Sequence, residues 1–251
     1  MMGRKFENNK LKMAKTAAAY TKKAAYIGKK IAQCVQDGGP NVESNRRLGL
    51  LIKEANTLGV KRDVVDRNIK KASESSTDYK ELTYEAYGNE GVAFIINALS
   101  DNNNRANADV NAAVNKLDSK VGGFKMAASG SVLFNFERKG RLAVPEKGLS
   151  EDEMIDIAIE AGVDEVELAE PDEDAGDRDN IKAVVYTAGT ELGAMQAALQ
   201  EAGYECTGNL VYVPMTKVKM SPEAMEKNLA ALDRLEEIDD VDSVDHNMDL
   251  S

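Results

Sequence analysis

The chain has 251 residues, 43% of them apolar and 30% charged, with a formal net charge of −11. That is the composition of a soluble globular protein with material for one large domain or two to three small ones. One histidine, His246, and two distant cysteines, Cys34 and Cys206, leave little for imidazole-based catalysis, a disulfide framework or a Cys/His zinc site. The absence of tryptophan and 5% aromatic content argue against a broad base-stacking sheet.

The basic opening GRKFENNKLKMAKTAAAYTKKAAYIGKK holds nine Lys and Arg against one Glu. Residues 1–80 carry 18 Lys and Arg against 8 Asp and Glu, a net of +10, and the remainder carries 14 against 35, a net of −21. Such a split predicts two kinds of surface with different partners. No apolar run follows the basic start and no window approaches a membrane span, so a cytoplasmic protein with no membrane partner is expected.

From Leu11 to Gln36 the pattern is helical, with Tyr20, Ala24, Ile27, Ile31 and Val35 at three-to-four spacing. Lys15, Lys22 and Lys29 repeat every seven residues beside Lys12, Lys23 and Lys30, on a different face from the apolar stripe. DGGP at 37–40 supplies a left-handed glycine and a proline to end this helix. A second helix follows Ser44 or Asn45 with Leu48, Leu51, Ile52 and Ala55 inward, and stops near Gly59. A third, over 61–72, turns Val64, Val65 and Ile69 inward and leaves Lys61, Arg62, Arg67, Lys70 and Lys71 outside. Arg46 and Arg47 extend this basic surface. The turn at TLGV has helix-turn-helix length, a length common to many helix pairs.

SESSTD at 73–78 marks a polar break, after which the period shortens. TYEAY and GVAFIINAL read as strands around the turn signal GNEG. A helix over 104–117, a loop VGGFKMAASG and a strand in SVLFNFE follow. Residues 140–213 read as RLAVP, DEMIDIAIEAG, DEVELAE, IKAVVYT, ELGAMQAALQEAG and LVYVP, the βαββαβ order of a ferredoxin-like unit. The last helix, SPEAMEKNLAALDRLEE, opens with Ser221 as N-cap and Pro222 at its first position, and a short strand near VDSV closes the chain. The expected fold is therefore α+β in three domains: a basic helical domain at 1–78, a discontinuous α/β domain at 79–138 plus 214–251, and an inserted domain at 139–213.

DNNNR, residues 101–105, stands where a strand meets a helix. Its asparagines suit capping, whereas Arg105 in the first turn opposes the helix dipole and is a candidate contact to an anion. The loop carrying Lys125 is glycine-rich but lacks GxxxxGK[ST], which rules out a P-loop and leaves a flexible loop or an RNA-contacting tip. EPDEDAGDRDN at 170–180 departs from a calcium loop, with glycine where a ligand is needed and no Glu at position twelve, so a solvated connection and no metal are expected. GxSxG, HExxH and GxGxxG are absent, no residue is marked as catalytic, and no cofactor is expected.

Four stretches, NRRLGLLIKEANTLGVKRDVVDRNIKKAS, YEAYGNEGVAFIINALSDNNNR, GSVLFNFERKG and VDSVDHNMD, together resemble the YebC/PmpR family, in order and over nearly the whole chain. One departure is the start, GRKFENNKLKMAK, where members commonly carry a GHSKW-type stretch; the chain looks like the second subtype. The resemblance implies a helical basic domain with two α/β domains and a non-enzymatic role in gene expression. Members are commonly labelled DNA-binding transcriptional regulators, while relatives including the mitochondrial translational activator of cytochrome c oxidase act on ribosomes.

Lysine-dominated helices suit sequence-independent phosphate contact, and nothing reads as a dimerisation heptad or a base-reading helix. Ribosomal RNA is accordingly the first expected partner, DNA the alternative, and a monomer the expected state. The candidate nucleic-acid contacts are Lys12, Lys15, Lys22, Lys23, Lys29, Lys30, Arg46, Arg47, Arg62, Arg67, Lys70, Lys71, Arg105 and Lys125.

Overall fold

The computed structural model describes residues 2–74, 78–145, 148–171 and 181–250, with side chains described from Tyr20 onward apart from Thr57 and Val121. Among these residues are seven α-helices and two four-stranded sheets, an α+β architecture. The helices are α1 (Met2–Gly38), α2 (Arg46–Thr57), α3 (Arg62–Glu74), α4 (Asn103–Val121), α5 (Glu151–Ala161), α6 (Leu192–Glu201) and α7 (Pro222–Glu236). The strands are β1 (Lys80–Tyr87), β2 (Ala93–Ser100), β3 (Lys125–Met126), β4 (Phe136–Pro145), β5 (Val166–Ala169), β6 (Ile181–Ala188), β7 (Thr207–Pro214) and β8 (Val241–His246). Their orders are β3-β1-β2-β8 and β5-β6-β4-β7. Two compact units divide the chain: Met1–Leu82 with Ala98–Ala108 and Ile238–Asp242, and Thr83–Asn97 with Asp109–Glu237 and Ser243–Ser251.

In the first unit the apolar stripe of α1 packs as its spacing predicts. Ile27, Ile31, Cys34 and Val35 meet Leu48, Leu51, Ile52 and Ala55 of α2, with Val60 and Val65 completing a buried core. Gly39, at φ +80°, ends α1 in the left-handed conformation that favours glycine. Asn45 then joins α1 to α2. Its Oδ1 accepts from Leu48 N at 3.0 Å as the N-cap, while its Nδ2 donates to the carbonyls of Cys34 and Gly39 at 2.7 and 2.9 Å.

In the second unit the order β5-β6-β4-β7 with α5 and α6 is the ferredoxin-like arrangement, and β4 pairs antiparallel with both β6 and β7. Leu142, Val144, Val185, Met154, Met195 and Leu199 form its core. Ser150 and Glu153 close a capping box on α5, and Ser221 caps α7 ahead of Pro222. The strands expected in SVLFNFE and RLAVP are parts of one strand. Leu133–Asn135 forms a 3-10 turn and β4 runs unbroken from Phe136, so residues 138 and 139 lie inside an element. Positions 172–180 of the loop read at 170–180 lie outside the described residues, as do positions 75–77 of the polar break.

Two half-buried acids in the first unit sit where water solvates them poorly. Burial pushes the Glu54 carboxyl up to about 7 against the opposing charge of Lys30. Asp242 is pushed up to about 6, again by burial, with Lys30, Lys29 and Lys22 opposing and Glu81 adding to the rise. In the second unit burial raises Asp245 to about 6 against hydrogen bonds from Asn97 and the Tyr212 backbone. These folded-state values lie above the roughly 4 of an unfolded carboxyl, so their contribution is full at low pH and is lost as pH rises through 6 to 7. Chemical denaturation should therefore show the protein more stable at pH 6 than at pH 8. Glu54→Gln should flatten that dependence; an unchanged pH profile in the variant would contradict the assignment.

Candidate nucleic-acid interface

The expected contacts of the first unit divide into cations already committed to internal partners and cations left open. Lys12 and Lys15 stand on the first half of α1, where side chains are outside the described set. Lys22 is exposed and Lys23 half-buried on the same helix.

Lys29 is a structural clamp, which corrects its reading as an anchor for phosphate. Its Nζ donates to the Leu99 carbonyl at 3.0 Å, the Asp239 carbonyl at 2.8 Å and Asp240 Oδ1 at 2.9 Å. Only 14% of the Lys29 side chain and 6% of the Asp240 side chain remain exposed. All three ammonium donors are used, so none is left for an external anion. Lys30 lies 5.7 Å over the Tyr26 ring and 3.5 Å from Glu81 Oε1.

Arg105 does contact an anion, and that anion is the protein's own. Asp240 Oδ2 accepts from Arg105 Nε at 3.1 Å, Arg105 NH2 at 2.9 Å and Ser100 Oγ at 2.8 Å. Arg105 NH2 also reaches Asp101 Oδ1 at 2.7 Å. Burial pushes the Asp240 carboxyl up, but the hydrogen bonds from Lys29, Ser100 and Arg105 outweigh it and hold the group below its ordinary value. The neighbouring Asn102 caps α4, its Oδ1 accepting from the backbone of Asn104 and Arg105.

On α2 and α3 the situation reverses. Arg47 NH1 meets Asp37 at 3.2 Å and Arg62 Nε meets Asp66 at 2.9 Å, both solvent-exposed pairs; pairs of this kind contribute about 0–1 kcal/mol and yield readily to a stronger anion. Arg46, Arg67, Lys70 and Lys71 are exposed, and among the described residues none has a carboxylate within ion-pair distance. Arg67, Lys70 and Lys71 occupy positions i, i+3 and i+4, so three like charges share one face of α3. Each such pair costs an isolated helix roughly 0.2–0.5 kcal/mol. Arg46 and Arg47 open α2, where the helix dipole disfavours cations by about 0.3–1 kcal/mol each. Folding gains nothing from this placement, whereas a polyanion would.

Lys125 belongs to the second unit, on β3, with its Nζ 5.5 Å over the Tyr87 ring. It borders a cavity of about 500 Å³ lined by Tyr87, Gly88, Gly91, Asp118, Gly123 and Phe124. The glycine-rich loop beyond it is pinned by a group that sequence reasoning missed. Glu85, 5% exposed on β1, accepts from the backbone nitrogens of Gly130, Val132 and Leu133 at 2.5, 2.7 and 3.0 Å. A Glu in an ordinary strand pattern carries no signal that its carboxylate will organise a loop 45 residues away. Among the described residues no cluster of His, Cys, Asp and Glu could hold a metal, and no helix is long and apolar enough to cross a membrane.

A basic helical bundle followed by two four-stranded sheets with packed helices defines the fold class, and comparison with known proteins narrows it. Residues 4–75 match the model of the TACO1/YebC protein N-terminal domain, and residues 79–248 that of the TACO1/YebC second and third domain. A probable transcriptional regulatory protein of Protochlamydia amoebophila is 36% identical over 97% of this chain and 94% of its own length. One from Chlamydia muridarum is 37% identical over 88% of this chain and 87% of its own. The crystal structure of a conserved hypothetical protein, Aq1575 from Aquifex aeolicus, superposes with a TM-score of 0.74 at 31% identity, covering 91% of this chain and 90% of that one. The chain belongs to the TACO1/YebC family.

The division of cations has a direct consequence for stability. Lys29→Gln leaves Asp240 short of a charged partner and should cost about 3 kcal/mol, the scale for breaking a buried pair. Lys70→Gln should stay within about 0.5 kcal/mol of the parent, as exposed substitutions do. Denaturant midpoints of the two variants check this; equal midpoints would remove Lys29 from the clamp.

Proposed function

We propose that the protein is a non-enzymatic, nucleic-acid-binding regulator of gene expression that works as a ribosome-associated translation factor, aiding stalled or difficult elongation. The observation that carries this reading is the group of exposed, uncompensated cations on α2 and α3, Arg46, Arg67, Lys70 and Lys71, with Arg47 and Arg62 held only by surface pairs. These meet ribosomal RNA phosphates without reading sequence. Lys12, Lys15, Lys22 and Lys23 extend the contact along α1. The strongly acidic remainder of the chain is repelled by extended duplex DNA and suited to basic ribosomal proteins. The protein acts in the cytoplasm as a monomer of three domains: the helical one, the one built on β1, β2, β3 and β8, and the inserted β4–β7 domain.

A second reading, a DNA-binding transcriptional regulator, has the names of the chlamydial relatives, probable transcriptional regulatory proteins, in its favour. Sedimentation separates the two. The protein should travel with ribosomes at low salt, increase there when elongation is stalled, and be released by moderate salt. Arg67→Glu with Lys70→Glu and Lys71→Glu should abolish co-migration, and should flatten the logarithmic salt dependence of RNA affinity by about two to three. Absence from ribosomal fractions at low salt, with protection of one promoter sequence over random DNA, would establish the transcriptional reading instead.

A further inference from the structure

We propose that the second unit carries its own site for unpaired RNA bases, formed by two cation-capped tyrosines and an exposed phenylalanine: Tyr87 with Lys125, Tyr212 with Arg138, and Phe134 with Met215 beside it. The site takes its ligand class from the RNA-binding reading above but uses none of the helical cations; Lys125 and Arg138 make it a local cationic exception within the acidic remainder of the chain.

The two tyrosine pairs are built alike. Tyr87 and Lys125 are cross-strand partners of β1 and β3, and Lys125 Nζ stands 5.5 Å from the ring centroid. Tyr212 and Arg138 are cross-strand partners of β7 and β4, with the guanidinium carbon 5.9 Å from the ring. Both tyrosines are half-buried against one apolar cluster of Ala93, Ile95, Val132 and Phe136, which the proposed site spans. Among the described residues neither Lys125 nor Arg138 has a carboxylate at ion-pair distance, unlike Lys139, which Glu137 and Glu167 hold at 3.4 and 3.7 Å.

Phe134 is 67% exposed and Met215 64% exposed, and Met215 N donates to the Asn135 carbonyl at 2.9 Å, which places the two segments side by side. Phe134 is not on a loose loop. Glu85 holds the preceding backbone at Gly130, Val132 and Leu133, and Tyr87 Oη donates to the Ser131 carbonyl at 2.9 Å. An aromatic ring presented to water on a fixed turn offers a stacking face, and Lys125 and Arg138 over their tyrosines offer phosphate contacts. Double-stranded RNA keeps its base faces stacked within the helix, so this surface selects single strands.

The test uses the full chain and two fluorescein-labelled probes, a single-stranded RNA of mixed sequence and a perfectly paired RNA hairpin of equal charge. Phe134→Ala removes an exposed side chain and leaves the core untouched. It should weaken single-strand binding about tenfold and leave hairpin binding unchanged. Lys125→Gln with Arg138→Gln should lower single-strand affinity as well and reduce its salt dependence. If both variants keep the parent's ratio of single-strand to hairpin affinity, the site is overturned, whether or not the helical cations bind; a protein partner for the patch would give that same result. The Arg67, Lys70 and Lys71 reversal should weaken both probes. If it changes neither while Phe134→Ala lowers single-strand binding, the helical anchor fails and this site stands. A parent protein that binds neither probe overturns both.

Discussion

Asp240 is the residue on which the first unit turns. Its carboxylate, 5% exposed, gathers an ammonium from α1, a hydroxyl from the end of β2 and a guanidinium from the first turn of α4. A buried carboxylate is tolerable only when its lone pairs are filled by such donors. The Lys29 and Arg105 ends of this network lie 211 and 135 residues from Asp240 in sequence, so one charge ties the C-terminal part of α1 to distant segments. Lys29 falls between Ile27 and Ile31 of the helical core. Fixing it ties the rotation of this part of α1 to the network.

That arrangement sorts the basic residues by physics rather than by position. Lys29 and Arg105 neutralise a buried acid, and Lys30 lies against Tyr26 and Glu81. Arg47 and Arg62 hold only surface pairs, and Arg46, Arg67, Lys70 and Lys71 sit where like charges or a helix dipole oppose them. A chain with 43 acids could have supplied carboxylates for them. The excess cation is concentrated in residues 1–80, net +10, and the acid is spread over the rest, net −21.

Much of the fold was legible because local rules and burial agree. The three-to-four spacing of Ile27, Ile31 and Val35, the caps at Asn45, Ser150 and Ser221, and the βαββαβ order all appear as their residue patterns require. SVLFNFE misled because alternation there reflects two roles, Val132 and Phe136 in a core and Phe134 outside it on a 3-10 turn. The candidate interface was less legible. Lys29 shares its heptad spacing with Lys15 and Lys22, and nothing in that spacing shows that Asp240, within an acidic tail, will bury it. Arg105 was singled out by the dipole argument, which found that it needs an anion without revealing that Asp101 and Asp240 provide one. A low aromatic content hid Tyr87, Tyr212 and Phe134, which sit far apart in sequence on β1, β7 and the turn that Glu85 holds.

The central claim is that the open cations of α3, and not the clamp on α1, meet nucleic-acid phosphate. Amine-reactive footprinting of the free protein and of the protein bound to ribosomes measures this residue by residue. Lys70 and Lys71 should label readily in the free protein and be protected on ribosomes, while Lys29 stays weakly labelled in both. Full labelling of Lys70 and Lys71 in the bound state, or ready labelling of Lys29 in the free protein, would contradict the account.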